Sequence, residues 1–344
     1  MTDFIRANVR AMTGYTPGEQ PRDGEYVKLN TNENPYPPSP RVLEAIRAAL
    51  TGEQLRKYPD PAGWAFRQAA GRVLGVDPAG VLIGNGSDDV LTVITRTIVP
   101  EGGLIVAPTP SYLLYRTLAE IQGARYAAIP FSADWQLDPA AVPAGASLTF
   151  VANPNSPSGT VVARDTLARW PGPLVIDEAY VDFADTNCLD LARASARVIV
   201  TRSLSKSYAL AGLRFGFAVA SPALTEQFYK VKDSYNCDVL SLVAATAAIE
   251  DQEYMRAIRA KVLATRARLT AALRGLGFAV LDSQANFVWC QRADRPVKPL
   301  YEELKRRKIL VRYMDYADHG DGLRISIGTD AETDRLLETL RAIL

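Results

Sequence analysis

The strand-like run Val198–Thr201 passes into Ser203-Leu-Ser-Lys206, two hydroxyls followed by a lysine. A lysine at a strand end is ordinarily a solvated charge. It becomes a nucleophile toward a carbonyl when desolvation or a neighbouring positive charge favours its neutral amine. Arg214, eight residues later, brings such a charge, and together with Ser203 and Ser205 it makes a set suited to gripping a phosphate. A second phosphate cradle follows Val81–Ile83, where Gly84, Gly86, Ser87 and Asp88 precede a helical pattern that begins near Asp89. Glycines let backbone N–H groups approach an anion, and a helix N-terminus favours negative charge. The competing reading is a tight strand-to-helix turn capped by Ser87 or Asp88.

Asp177 closes the apolar run Leu174–Ile176, which would place a carboxylate inside a crevice where an unpaired charge is costly. A protonated pyridine nitrogen is a suitable partner, and a ring kept charged in this way is an electron sink for a carbanion. Tyr180, three residues on, can donate to a phenolate oxygen of such a ring, and Tyr112, beyond Leu104–Val106, can stack on its face. The plainer alternatives are a helix cap for Asp177 and simple packing for Tyr112. His319 is the single histidine, which argues against multi-histidine metal sites and against a serine triad. Acid–base chemistry falls to Lys, Tyr and carboxylates, with no metal.

The elements that must position these residues alternate. From about residue 60 to 220 the runs Val81–Ile83, Leu104–Val106, Leu148–Ala152, Leu174–Ile176, Val198–Thr201 and Phe215–Val219 are separated by helical patterns, the signature of a mostly parallel sheet covered by helices. Ligands bind such α/β sheets beyond the C-terminal strand ends, where the polar segments above lie. Residues 1–45 are loop-rich, and the proline-laden stretch Asn30–Pro40 ends where a helical pattern starts at Arg41. Beyond about 250, long helical patterns enclose Phe278–Leu281, Asn286–Cys290 and Leu323–Ile327, which read as strands of a smaller α+β lobe. The expected division is a large lobe over 46–249 and a small lobe formed by 1–45 plus 250–344.

Composition agrees with a two-lobed globular chain. Its 344 residues exceed what one core usually organises. With 39 Lys+Arg against 38 Asp+Glu there is no global charge to attract nucleic acid or a membrane surface. No apolar run approaches a membrane span. The N-terminus MTDFIRANVRAMTGY lacks the apolar core of a secretory signal, and Cys188, Cys237 and Cys290 form neither an even disulfide set nor a CxxC pattern. A reducing cytoplasm is the expected location.

The blocks Gly14–Gly18, Lys28–Tyr36, Lys57–Pro61, Gly84–Asp89, Val175–Tyr180, Ser203–Gly216 and Leu323–Gly328 resemble those of the pyridoxal-phosphate aminotransferases with the aspartate-aminotransferase fold, most closely the histidinol-phosphate branch. The resemblance covers nearly the whole chain. It implies the PLP-dependent transferase fold, pyridoxal 5'-phosphate as cofactor, Lys206 as the Schiff-base lysine, Asp177 as pyridine partner, Tyr180 as phenolate partner and Tyr112 as stacking ring. Gly86, the backbone amides of Ser87 and Asp88, and Ser203, Ser205 and Arg214 would hold the phosphate. A tyrosine matching Tyr58 reaches that phosphate from the neighbouring subunit in the family, which implies a homodimer with shared sites. One position departs from the family pattern: the asparagine that donates to the phenolate oxygen is Ser156 here, in Asn153-Pro-Asn-Ser-Pro-Ser-Gly159. Ser156 donates over a shorter reach, Asn155 substitutes, or Tyr180 acts alone. A cis Ser156–Pro157 bond suits such a turn.

The resemblance assigns substrate binding to Arg324 and Arg312, with Tyr15 reaching the partner's site and Asn30 bordering the pocket. Two arginines suit a phosphate dianion better than one carboxylate requires. The leading expectation is therefore a ping-pong exchange between a small-molecule amino donor, histidinol phosphate, and a keto acid, 2-oxoglutarate. Aromatic amino-acid transamination is the nearest rival. Threonine-phosphate decarboxylation and a non-catalytic ligand-sensing module are the further alternatives.

Overall fold

The computed structural model describes residues 4–14, 18–21 and 24–344. In chain order its strands are β1 (Val27–Lys28), β2 (Val81–Gly84), β3 (Leu104–Thr109), β4 (Arg125–Pro130), β5 (Leu148–Ala152), β6 (Leu174–Asp177), β7 (Val198–Ser203), β8 (Gly216–Val219), β9 (Ala279–Val280), β10 (Phe287–Gln291), β11 (Ile309–Leu310), β12 (Arg312–Tyr316) and β13 (Gly320–Ser326). Seven of them form the central sheet in the order β2-β8-β7-β6-β5-β3-β4. β8 runs antiparallel to both of its neighbours, and every other pairing is parallel.

The inner parallel strands β5 and β6 are buried along their full length, as parallel strands covered on both faces must be, and so are β7, β8 and the edge strand β2. All six sequence-predicted runs are strands of this sheet. β4 was not foreseen: it is an edge strand with only Ile129 buried, and its sequence Arg-Tyr-Ala-Ala-Ile-Pro has one β-branched residue and ends in proline.

The second lobe holds the antiparallel sheet β12-β13-β10-β9. Its core is built from the helices Gln252–Gly275 and Asp330–Ile343 together with Val288, Leu323 and Ile325 of the sheet. The three runs read as strands there correspond to β9, β10 and β13, while β12 went unread. The N-terminal segment reaches this lobe through β1, which pairs in parallel with β11. Val27 and Leu29 are buried in the small-lobe core. The helix Pro40–Ala49, capped by Ser39 with Pro40 at its first position, instead buries Val42 in the large-lobe core. Residues 40–45 thus pack with the large lobe, where the sequence division put them with the small one. Between these anchors, Asn30, Thr31, Asn32 and Glu33 line the cavity described below.

Candidate active site

A cavity of about 600 Å³ opens at the C-terminal ends of β6 and β7, between the lobes. It is lined by Asn30, Ser87, Asp88, Tyr112, Ser156, Asp177, Tyr180, Ser203, Ser205, Lys206, Arg214, Arg312 and Arg324 among others. These residues lie in segments scattered over nearly 300 positions of sequence, and the sheet brings them to one place.

Asp177, the last residue of β6, is the deepest charge. It is 4% exposed. Tyr115 donates to Oδ2 at 2.8 Å, Thr201 Oγ1 to Oδ1 at 3.2 Å, and the Ala179 N–H to Oδ1 at 3.2 Å. All three partners are neutral. Burial pushes the Asp177 carboxyl up to about 6, and the Tyr115 and Thr201 hydroxyls pull against that rise. No helix starts directly after Asp177, and the short 3-10 turn Val181–Phe183 has Tyr180 at its cap position, so Asp177 is not a helix cap.

Lys206 projects from beyond β7. Its Nζ donates to the Thr31 carbonyl at 3.3 Å and lies 5.7 Å from the Tyr180 ring centroid. Asn34 Nδ2 donates to the backbone carbonyls of Lys206 and Ser207, at 2.9 and 3.2 Å, which fixes the base of the lysine. The Tyr180 hydroxyl accepts from Asn32 Nδ2 at 3.0 Å, leaving its own proton free to donate into the cavity.

At the opposite end, the helix Ser87–Ile98 begins with no side-chain cap. Neither Ser87 nor Asp88 caps it; Asp88 instead accepts from the Tyr112 hydroxyl at 3.1 Å and lies 3.7 Å from Arg214. The first-turn N–H groups therefore face the cavity with Ser203, Ser205 and Arg214 around them. Gly86 has φ +85°, and a Cβ there would sit 2.5 Å from the Arg214 guanidinium. At Gly216 a Cβ would lie 2.4 Å from the Ser87 nitrogen. Both glycines let β8 and Arg214 close against the turn.

Arg312 and Arg324 are Cα partners in the antiparallel register of β12 and β13. Arg324 donates to Ser156 Oγ and to the Asn30 carbonyl, each at 2.9 Å. Asn30 Nδ2 in turn donates to the Glu19 carbonyl. The Ser156–Pro157 bond is cis, as are Thr109–Pro110 and Asn153–Pro154.

Two predicted positions, Asn155 and Tyr58, fall outside the lining of this cavity. Asn155 is fully buried, donates to the Pro110 carbonyl and Ser158 Oγ at 3.1 Å each, and accepts from Ser111. With its amide spent on holding the loop, it does not substitute for the missing donor. Tyr58 is 80% exposed and stacks on Tyr235 at 4.4 Å, away from the cavity of its own chain. Tyr15 lies outside the described residues.

Comparison with known proteins decides the family. Residues 24–340 match the model for Aminotransferase class I and II. The chain belongs to the class I and II aminotransferases. It is 50% identical over 336 residues to the histidinol-phosphate aminotransferase of Rhodopirellula baltica, covering 96% of this chain and 92% of the relative. Among solved structures it resembles the histidinol-phosphate aminotransferase of Sinorhizobium meliloti in complex with pyridoxal-5'-phosphate, with a TM-score of 0.90, 27% identity and coverage of 100% of this chain and 99% of that one. The aspartate aminotransferase of Thermus thermophilus with maleate shares the fold, at TM-score 0.80 and 20% identity, covering 93% of this chain and 92% of that one.

Sequence reasoning missed three residues that hold the cavity's side chains in this aminotransferase: Asn32, Asn34 and Tyr115, which bond to Tyr180, to the Lys206 backbone and to Asp177. The two asparagines sit in the block Lys28–Tyr36, where a cluster of polar side chains just before a proline run was the available signal. Tyr115 carried none, because an aromatic in an amphipathic helix reads as core.

Proposed function

We propose that this aminotransferase moves the amino group of histidinol phosphate to 2-oxoglutarate, giving imidazole-acetol phosphate and glutamate in histidine biosynthesis, with pyridoxal phosphate as cofactor. The observation that carries the substrate assignment is the Arg312–Arg324 pair. Like charges directly opposite on neighbouring strands repel, and an anion shared between them relieves that repulsion. A phosphate dianion with three acceptor oxygens matches two guanidinium forks. The R. baltica relative bears the name of the same reaction.

The residues present fit the cofactor. Asp177 is a buried carboxylate whose partners are all neutral, and a protonated pyridine nitrogen would give it the cation it lacks. The uncapped helix start, Ser203, Ser205 and Arg214 would hold the phosphate. Tyr112 would stack on the ring, and Tyr180 would donate to its phenolate oxygen. Ser156 shares that side of the cavity but already accepts from Arg324. When bound, pyridoxal phosphate supplies an electron sink that stabilises negative charge at the substrate α-carbon.

The chain supplies the rest. Arg324 and Arg312 orient the substrate by its anionic groups. Lys206 would accept the substrate α-proton and return it, as general base and then acid. Asp177 would keep a proton on the cofactor's ring nitrogen. Asn34 and the Thr31 carbonyl keep the lysine within the cavity between these transfers.

We further propose a homodimer with shared sites, supported by the exposed Tyr58–Tyr235 stack and by exposed Leu55 and Trp64 around it in sequence. The cofactor lobe is taken as the central-sheet unit through 249, and the small lobe as 250–344 with the N-terminal segment. Three free, buried cysteines favour a reducing, cytoplasmic location.

The test is a comparison of kcat/KM for histidinol phosphate, phenylalanine and tyrosine with 2-oxoglutarate as acceptor. A large preference for histidinol phosphate is expected; preference for an aromatic amino acid would overturn the substrate assignment and leave the fold family intact. Arg312→Ala should lower kcat/KM for histidinol phosphate by roughly 10- to 100-fold, the loss of one charged hydrogen-bonding group. The same variant should change phenylalanine turnover far less, and equal losses would remove Arg312 from phosphate binding.

A further inference from the structure

Between β1 and the cavity lies a group of side chains that no step above uses. Lys28 Nζ donates to both carboxylate oxygens of Glu33 at 2.5 Å and to Thr31 Oγ1 at 2.7 Å. The Thr31 hydroxyl donates in turn to Glu33 Oε2 at 2.7 Å. The same Thr31 offers its backbone carbonyl to Lys206 Nζ. Thr31, Glu33 and Lys206 all line the cavity.

We propose that Lys28 and Glu33 form a balanced charge pair that sets both the charge and the aim of the Lys206 amine, making them positioning residues for transamination. The inference rests on reading Lys206 as the cofactor lysine.

The physical case has two parts. The first is aim. Thr31 is held on its side-chain oxygen by Lys28 and Glu33, so the carbonyl that receives Lys206 is fixed in place by the pair rather than by the loop alone. The second is charge. A lysine that must accept and then release a proton works poorly if a bare carboxylate pins it as ammonium or a bare cation strips it. Burial raises the Glu33 carboxyl, yet its bonds to Lys28 and Thr31 and the charges of Lys28 and Lys206 hold it below the ordinary value. It is thus an anion that feels both lysines, and Lys28 offsets the charge it presents to Lys206. An exposed ion pair with only a structural role would contribute little. This one is partly buried, with side chains 28% and 42% exposed, and its threonine carries the contact to the reacting amine. The other charged groups facing Lys206 are Asp177 on β6, Asp88 on the helix Ser87–Ile98, Arg214 before β8, and Arg312, Asp315 and Arg324 on the hairpin β12–β13. All of them stay in place in the variants below.

The two members of a balanced pair must act in opposite directions when removed singly. In cofactor-free, full-length protein at fixed pH, acetylation of Lys206 by limiting acetic anhydride is read by peptide mass spectrometry against the exposed Lys298. Glu33→Gln leaves Lys28 unbalanced, disfavours the ammonium form and should speed Lys206 acetylation about three-fold. Lys28→Met leaves Glu33 unbalanced and should slow it by about the same factor. The double variant should return near wild type. In the cofactor-loaded enzyme each single variant should lower kcat about three-fold or more with KM for both substrates little changed, and Glu33→Asp should recover part of the loss. Acetylation that rises in both single variants, or that changes in neither, would overturn the proposal. If the acetylation pattern holds but trapped cofactor maps to a different lysine, the assignment of Lys206 fails while the charge pair stands.

Discussion

Lys206→Ala is expected to lower transamination by roughly 10⁴-fold or more, because in the proposed mechanism it removes at once the covalent attachment of the cofactor and the base that moves the α-proton. The fold should tolerate the change. Lys206 lies beyond the end of β7, its amine makes one hydrogen bond, to the Thr31 carbonyl at 3.3 Å, and truncation opens space toward an existing cavity rather than a void in the core. Asn34 grips the backbone carbonyls of residues 206 and 207, a contact that alanine preserves. The variant should therefore unfold at nearly the wild-type temperature and still bind the cofactor through the phosphate cradle and Asp177, without a covalent bond. Borohydride treatment followed by peptide mapping reads attachment, and steady-state assay reads turnover. Substantial residual turnover, or cofactor trapped on another lysine, would remove Lys206 from the chemistry.

The large sheet was legible because its strands are continuous apolar runs, and the polar loops that follow them hold most of the cavity. Where the signal failed, the cause is physical. β12 reads as Arg-Tyr-Met-Asp-Tyr, without an apolar face, because its residues line a cavity instead of a core. Strands β1 and β11 are two residues each and exist only through their mutual pairing across 282 positions, which no local pattern can announce. The asparagines of the N-terminal segment are similar. Asn32 and Asn34 act on Tyr180 and on the Lys206 backbone, partners 148 and 172 residues distant. A polar side chain in a loop has no periodicity to test, so its partner emerges only when the lobes close on each other. Asn155 shows the reverse case: its place in a recognisable motif suggested the cavity, and the geometry spends its side-chain amide on Ser158 of its own loop and on Pro110 and Ser111 of the loop after β3.

Asp177→Asn should separate what the carboxylate does for the reaction from what it does to the fold. In the cofactor-free protein the Asp177 carboxyl titrates at about 6 against an ordinary value near 3.8. Between those values the folded chain binds more protons than the unfolded one. Stability contributed by this group therefore falls as pH rises from about 4 to 6, and above 6 the ionised, buried group costs on the order of 3 kcal/mol. Asparagine does not titrate, so denaturant unfolding of the cofactor-free variant should lack this component of the pH dependence and show a gain over wild type at pH 7. The gain should be below the full figure, because the Tyr115 and Thr201 hydroxyls now donate to a charge and would have to share an amide oxygen or turn to accept from the amide nitrogen. Turnover should move the other way. In the proposed mechanism the ring nitrogen would lose the group that keeps it protonated, and a fall of roughly 10²- to 10³-fold in kcat is expected, comparable to removing one preorganised charged partner from an active site. A variant more stable without cofactor and far slower with it would identify Asp177 as a residue whose burial is a cost to the fold that cofactor binding relieves. A variant equally stable at pH 7 and equally fast would mean that the carboxylate is neither ionised in the free protein nor the partner of the ring.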